Sequence, residues 1–303
     1  MRITRSTASV RVPATSANLG SGFDALGLAL GIADTIEMEA RPGGVDIAVY
    51  GEGAGSVPTG EEHLVLRALR VGLDHAGAPQ VGVRMHCTNR IPHGRGLGSS
   101  AAAVVAGLLL ARGLLASPEA LDDATVLQLA TDMEGHPDNA APALHGGVAL
   151  SWMDGERART VPLPVPADTA LSPVVLAPTA ELSTRAARSL LPEHVPHQDA
   201  AFAVGRSALL VHAITRDSTL LMAATEDRLH QEYRAPAMPE SVELVRVLRH
   251  EGYPAAISGA GPSVVVLAGA DAGLAPLVRR VVGSPADWSL ARAGLARTGA
   301  TLW

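Results

Sequence analysis

The sequence predicts an α+β protein in two parts, and three observations carry that prediction. Stretches with the two-residue period of strands alternate irregularly with helix-forming stretches along the chain. A glycine-rich segment joins a strand to a buried helix between Val81 and Ala111. A stretch rich in proline and charge, Gly155 to Pro173, separates the halves, so the expected domains are residues 1–160 and 161–303.

In chain order, Val10 and Val12 read as a strand entering the polar loop Pro13 to Gly22. Thr15, Ser16, Asn18 and Asp24 crowd that region, a composition that also suits ordinary turns. Ile36, Met38 and Ala40, then Val45, Ile47 and Val49, predict a strand pair joined at Pro42-Gly43-Gly44. Gly51 to Gly55 reads as a hairpin loop, and Glu61 to His75 as a helix. Val81, Val83, Met85 and Cys87 alternate with polar or small residues, as a half-buried strand does. Ala101 to Ala111 is a helix apolar enough to be buried. Ser117-Pro118-Glu119 restarts a helix, with a cap and then proline at the first helical position; it runs to about Met133. Gly146-Gly147 opens a strand from Val148 to Trp152. The second half reads as a strand (Ser172 to Ala177) followed by helices from Ser183 and Gln198, near Ser218 and after Pro239. Strand, glycine turn and strand then span Ala255 to Ala268, before a helix near Leu277 and a final strand. Helices on a small antiparallel sheet make this half α+β.

The segment Pro92-His93-Gly94-Arg95-Gly96-Leu97-Gly98-Ser99-Ser100-Ala101-Ala102 has the form of an anion site. Gly94, Gly96 and Gly98 lack a Cβ, so their backbone can turn sharply and approach a bulky anion. The helix behind them offers unpaired N–H groups and a partial positive charge. Ser99 or Ser100 is expected to cap that helix, with Arg95 adding a mobile charge. This is no Walker A loop, because no Gly-Lys-Ser/Thr follows; all 24 basic residues are arginine. The lack of lysine also excludes Schiff-base chemistry, including attachment of pyridoxal phosphate.

Composition narrows the class further. Hydrophobic residues make up 47% and charged ones 18%, which suits a globular chain. A net charge of −6 argues against binding nucleic acid, which needs a basic surface. Cys87 stands alone, so it has no internal disulfide partner, and it falls on the apolar face of its strand. Met1 to Ser9 has no apolar run, and Ala101 to Ala111 falls short of the roughly 18–20 residues of a membrane span. The expected location is the cytoplasm, with no membrane partner.

Pro92 to Ala102 resembles the phosphate-binding motif of the GHMP kinase superfamily. Val12-Pro-Ala-Thr-Ser-Ala-Asn-Leu-Gly-Ser-Gly-Phe-Asp24 resembles the N-terminal motif of its homoserine kinase branch, with Ser21 where proline is usual. Ile257-Ser-Gly-Ala-Gly-Pro-Ser263 resembles the superfamily's C-terminal glycine loop, and Glu134-Gly-His-Pro-Asp-Asn139 again points to homoserine kinases. The resemblance implies a ribosomal-S5-like N-terminal domain and a ferredoxin-like C-terminal one. It implies ATP-dependent phosphorylation of the terminal hydroxyl of L-homoserine, on the route to threonine, with ATP and Mg²⁺ required. A homodimer is common among such relatives. The loop from Pro92 to Ala102 would then bind ATP, and Ser99 with Asp132 or Glu134 would bind the metal. Asp24, helped by Asn18 and Asp138, would take the substrate ammonium. Arg188 and Arg234 would hold its carboxylate, a two-pronged match for guanidinium. His136, Asn139, Thr184 and Gly259 complete the implied pocket. The implied catalytic residues are Ser99, Asp138 and Asn139. The mechanism expected needs no strong protein base, since positioning and electrostatics suffice for a loose transition state. His63 stands where many relatives carry an asparagine near adenine. A non-catalytic ATP-binding sensor and a kinase or decarboxylase of mevalonate derivatives are the competing readings.

Overall fold

The computed structural model describes residues 1–268 and 271–303. Its first half is organised on one long, bent strand. The first strand, β1 (Thr7–Asn18), pairs antiparallel with β2 (Gly22–Arg41), and the register shifts between Pro13 and Ala14. On its other edge the 20-residue β2 serves two partners. Its end pairs with β4 (Gly82–Asn89), and its start with β5 (Val148–Asp154), which continues into β6 (Arg157–Leu163). Here β3 (Val45–Gly51) lies parallel to β4, across a connection that contains helix α1 (Leu64–His75). A parallel neighbour requires such a crossover.

This arrangement corrects three expectations. The runs around Ile36 and Val45 are strands, but β4 inserts between them. Gly51 to Gly55 is therefore no hairpin loop, because it leads into α1. Thr15 and Ser16 belong to β1 rather than to a loop; the turn spans only residues 19–21.

Helix α2 (Ser99–Leu114) packs through the centre, with 12 of its 16 residues buried. Val10, Val12, Ile36, Met38, Met85 and Cys87 of the sheet share one core with its Val104, Val105 and Leu108. Its approach to α1 is close enough that a Cβ on Gly107 would lie 2.2 Å from the Val65 carbonyl oxygen. After α2, a 3₁₀ turn at Pro118–Leu121 precedes α3 (Asp123–Glu134). Asp122, not Ser117, caps α3 by accepting from the Thr125 N–H at 2.8 Å. The short α4 (Ala140–His145) leads into β5.

The second half follows a β-α-β-β-α-β plan. β7 (Val174–Pro178) is followed by α5 (Thr184–Arg188), α6 (His197–Thr215), α7 (Leu221–Ala224) and α8 (Pro239–His250). Then come β8 (Ala255–Ile257), β9 (Val264–Val266), α9 (Leu274–Val281) and β10 (Trp288–Ala291). The strand order β10-β7-β9-β8, with every neighbour antiparallel, matches the ferredoxin-like expectation. Both faces of this sheet are buried, which explains its unbroken apolar runs. Val174, Leu176, Val264 and Val266 face a core with α8 and α9 residues such as Leu248 and Val278. The alternate residues Val175, Ala177 and Val265 join the core of the first half.

The halves interleave. β6 crosses position 160, so the first sheet continues to Leu163. The chain end also returns to that sheet, where β11 (Thr301–Leu302) pairs with β1.

Candidate active site

A cavity of about 290 Å³ opens where the two halves meet. Its floor is the glycine loop. Gly94, Gly96 and Gly98 all have φ between 65° and 72°, a region that favours glycine. Three successive loop carbonyls are engaged by the second half: Gly94 by the Leu182 N–H at 2.8 Å, Arg95 by the Ser263 N–H at 3.3 Å, and Gly96 by the Ser258 hydroxyl at 2.7 Å. The Leu97 carbonyl accepts from Thr15 N–H at 3.1 Å, and that of Gly98 from Ala102 N–H at 2.9 Å. No loop N–H from Gly94 to Ala101 donates to a protein acceptor among the described residues. With its carbonyls committed and its N–H groups uncommitted, the loop is a donor-rich cradle at the start of α2, suited to phosphate.

Two details of the cradle differ from expectation. Gly98 itself caps α2, so neither serine does; a Cβ there would lie 1.9 Å from Thr15 Oγ1. Arg95 is not a mobile charge over the cavity. Its guanidinium donates to the carbonyls of Pro178 (2.8 Å), Thr179 (2.8 Å) and His93 (3.1 Å), and Glu52 and Glu181 lie 3.8 Å away. It stitches the loop to the end of β7.

Glu134, at the end of α3, accepts from the Ser100 hydroxyl at 2.6 Å. Burial pushes its carboxyl above the usual range, against the pull of that hydrogen bond. These are hard oxygen donors beside the cradle, the chemistry Mg²⁺ prefers. Ser99 also lines the cavity. Asp132 does not: it is exposed on α3 and accepts from Gln128 at 2.8 Å. Helical geometry turns a residue two positions from Glu134 to another face. Among the described residues, no three His, Cys, Asp or Glu side chains gather as a metal site.

Charged and polar groups line the opposite wall. Arg188, on α5, donates to both oxygens of Asp24, at 2.7 and 3.0 Å. Ion pairing with Asp24 raises the Arg188 pKa further. Arg234 is 1% exposed, far from the surface residue that composition alone suggests. Its Nη1 donates to Gly259 O and His230 Nδ1, both at 3.2 Å, while Nε is buried without a partner. Desolvation pulls its pKa down, and Arg188 adds to that effect.

Asn18 bridges the halves, its oxygen accepting from Asp24 N–H at 2.9 Å and its nitrogen donating to Gly259 O at 2.8 Å. Much of its hydrogen-bonding capacity is therefore spent on the fold. Asn18, Leu19 and Asp24 all have positive φ, a strained backbone gathered beside the cavity. Asp138 is 2% exposed, and its Oδ1 lies 2.6 Å from His136 Nδ1 and 3.3 Å from Asn139 Nδ2. The Asp138 hydrogen bond raises the His136 pKa. Asn139 in turn accepts from Thr15 Oγ1 at 2.7 Å.

The structure thus gathers Asn18, Asp24, Gly94, Gly96–Ala101, Glu134, His136, Asp138, Asn139, Thr184, Arg188, Arg234 and Gly259 around one cavity. Pro92, Arg95, Ala102 and Asp132 do not line it. His93 lines a second cavity of about 230 Å³, which adjoins the first at Ser99 and Ser100. That cavity holds Val57, Pro58, Leu64 and His63, whose Nδ1 is buried without a partner. It also holds Asp34, which accepts from the N–H groups of Arg90 and Ile91 at 2.6 and 2.9 Å. Sequence reasoning missed Asp34, although it shares the inward parity of Ile36 and Met38 and so placed a carboxylate on a buried face. Ser258 was also missed as a loop anchor; nothing in the sequence marks that hydroxyl as different from its neighbours.

Comparison with known proteins agrees with this architecture. Residues 63–147 match the GHMP kinases N terminal domain, and residues 208–284 the GHMP kinases C terminal model. The chain is 54% identical over 294 residues to a homoserine kinase of Streptomyces coelicolor, covering 97% of this chain and 93% of that one. Among solved structures, homoserine kinase from Cytophaga hutchinsonii superposes with a TM-score of 0.84 at 27% identity, covering 99% of this chain and 98% of that one. A putative homoserine kinase from Listeria monocytogenes gives a TM-score of 0.77 at 31% identity, covering 98% and 99%. Half identity over nearly the whole chain, with a cradle and a charged wall on a shared fold, is a family relation: the chain belongs to the homoserine kinases of the GHMP kinase superfamily.

Proposed function

We propose that this protein transfers the γ-phosphoryl group of ATP to the terminal hydroxyl of L-homoserine, giving O-phospho-L-homoserine. The observation that carries the reading is the cavity itself, which sets a cradle of uncommitted N–H groups against a wall holding two carboxylates, Asp24 and Asp138, and two guanidinium groups.

The phosphates occupy the cradle from Gly94 to Ala101, and the nucleoside extends into the second cavity beside His63. Glu134, with the Ser100 and Ser99 hydroxyls, would hold Mg²⁺ against the phosphates; bound there, the ion neutralises charge that develops on the transferred group. Asp24 receives the substrate ammonium, while Arg188 and Arg234 receive its carboxylate. Thr184 and Gly259 border the substrate. Asp138, oriented by His136 and Asn139, accepts a hydrogen bond from the reacting hydroxyl and aims it in line. Positioning and electrostatic stabilisation carry the rate, and the hydroxyl proton passes to a phosphate oxygen.

A coupled ATP assay with purified protein tests the reading. Wild type should turn over homoserine in preference to homoserinol, mevalonate and galactose. In Arg234→Leu the KM for homoserine should rise roughly ten- to a hundred-fold, as expected for a lost charge-assisted contact. The same variant should lose its preference for homoserine over homoserinol, with the KM for ATP little changed. Turnover of mevalonate instead of homoserine, or an unaltered preference in a folded Arg234→Leu protein, contradicts the assignment.

A further inference from the structure

Arg234 meets the cavity as part of a buried cluster that the proposed reaction does not itself use. His230 is fully buried four residues before it, just ahead of the 3₁₀ turn Glu232–Ala237 that carries Arg234. Its Nε2 lies 2.8 Å from the Gly20 carbonyl oxygen, which can only accept, so Nε2 carries the proton. Its Nδ1 lies 3.2 Å from Arg234 Nη1, which can only donate, so Nδ1 is bare. These two neighbours leave one tautomer of a neutral ring. Phe23 stacks on that ring at 5.0 Å and an interplanar angle of 19°, and the Arg234 guanidinium carbon lies 5.6 Å from the Phe23 centroid.

The geometry has a directional consequence. A guanidinium can present its Nε–Nη2 edge to a carboxylate as a two-pronged donor. In Arg234, Nη1 is drawn back by His230 and Gly259, whereas Nε is buried without a protein acceptor. Nη2 likewise has no hydrogen bond among the described residues. We propose that His230 is a positioning residue, whose bare Nδ1 holds Arg234 Nη1 so that the Nε–Nη2 edge is offered to the substrate carboxylate. This rests on the assignment of Arg234 to that carboxylate.

The surroundings favour the neutral ring. Desolvation and the Arg234 charge both push the His230 pKa down. Asp227 opposes them from 3.6 Å, but its carboxylate is already occupied by the N–H groups of Leu229, His230 and Gln231 at 2.8–3.1 Å. Asp24 is a weaker opposing influence.

Two half-replacements separate the ring's bonds. In His230→Asn, the amide oxygen takes the place of Nδ1 and keeps the acceptor for Arg234. In His230→Gln, the amide nitrogen takes the place of Nε2 and keeps only the bond to Gly20. His230→Gln should raise the KM for homoserine about tenfold, with kcat and the KM for ATP near wild type. His230→Asn should stay within about twofold of wild type, although it loses a buried bond too. Adding His230→Gln to Arg234→Leu should change nothing further, because the two act through one contact. A purely structural role predicts equal damage from both replacements, and that result overturns the proposal. If Arg234→Leu alone leaves the homoserine KM unchanged, the carboxylate assignment falls and this inference falls with it. If Arg234→Leu acts but His230→Gln does not, only this inference falls. Nitrogen-15 spectroscopy of histidine-labelled wild-type protein is an arm that needs no variant to fold. It should find Nε2 protonated and Nδ1 bare; a protonated Nδ1 overturns the proposal.

Discussion

Cys87 is 1% exposed on the inward face of β4, and burial pushes its thiol pKa up to about 12. Nucleophilic attack requires the thiolate, which at pH 8 is then only roughly one molecule in ten thousand. A disulfide reagent at pH 8 should therefore label the native protein no faster than it unfolds, and label it fully in denaturant. Rapid stoichiometric labelling of folded protein would place the thiol outside the core. This residue was legible from its parity in the strand. Arg234 was not, because nothing in an isolated arginine announces that it is buried. Only the family pattern around it, His230-Gln-Glu-Tyr-Arg234, set it apart from the other arginines.

Among the elements, the strand–loop–helix unit around Gly94 was legible because glycine spacing and helix-forming composition are both local properties. Its anchoring was not, because every anchor is distant in sequence. Arg95 reads as a phosphate ligand on its own, yet it reaches three backbone carbonyls, two of them at the end of β7. Arg95→Met should leave those carbonyls without their charged donor. The expected loss is about 2 kcal/mol of stability, the scale of hydrogen bonds to charged groups, together with a several-fold rise in the KM for ATP as the cradle loosens. Denaturant unfolding and ATP titration check both; an unchanged stability and KM would mean the stitches contribute nothing. The same distinction explains the strand order. Alternating residues marked β3 and β4 individually, but nothing local to either strand places β4 between β2 and β3. Pairing partners depend on the connections between strands more than on the pattern within a strand.

Across the whole molecule, the two halves meet through side chains that neither could satisfy alone. Gly96 shows how tight the meeting is, since a Cβ there would lie 2.2 Å from the Ser258 carbonyl oxygen. The Asp24–Arg188 pair is another such join, linking β2 to α5 across the cavity. On the proposed assignment it is an internal stand-in for an amino acid, one charge of each sign held face to face. Substrate entry is then an exchange of partners, in which one ion pair separates and two new ones form. A ligand with a single charge can satisfy only one member and strands the other, which is costly in a partly buried site. The pair thereby acts as a filter for zwitterions. 2-Aminobutyrate should inhibit homoserine turnover at concentrations where butyrate and propylamine, each carrying one of its charges, have no effect. Equal inhibition by all three would show that the pair does not discriminate. Selectivity of this kind is set before any phosphate moves, by an ion pair that must be replaced at both ends.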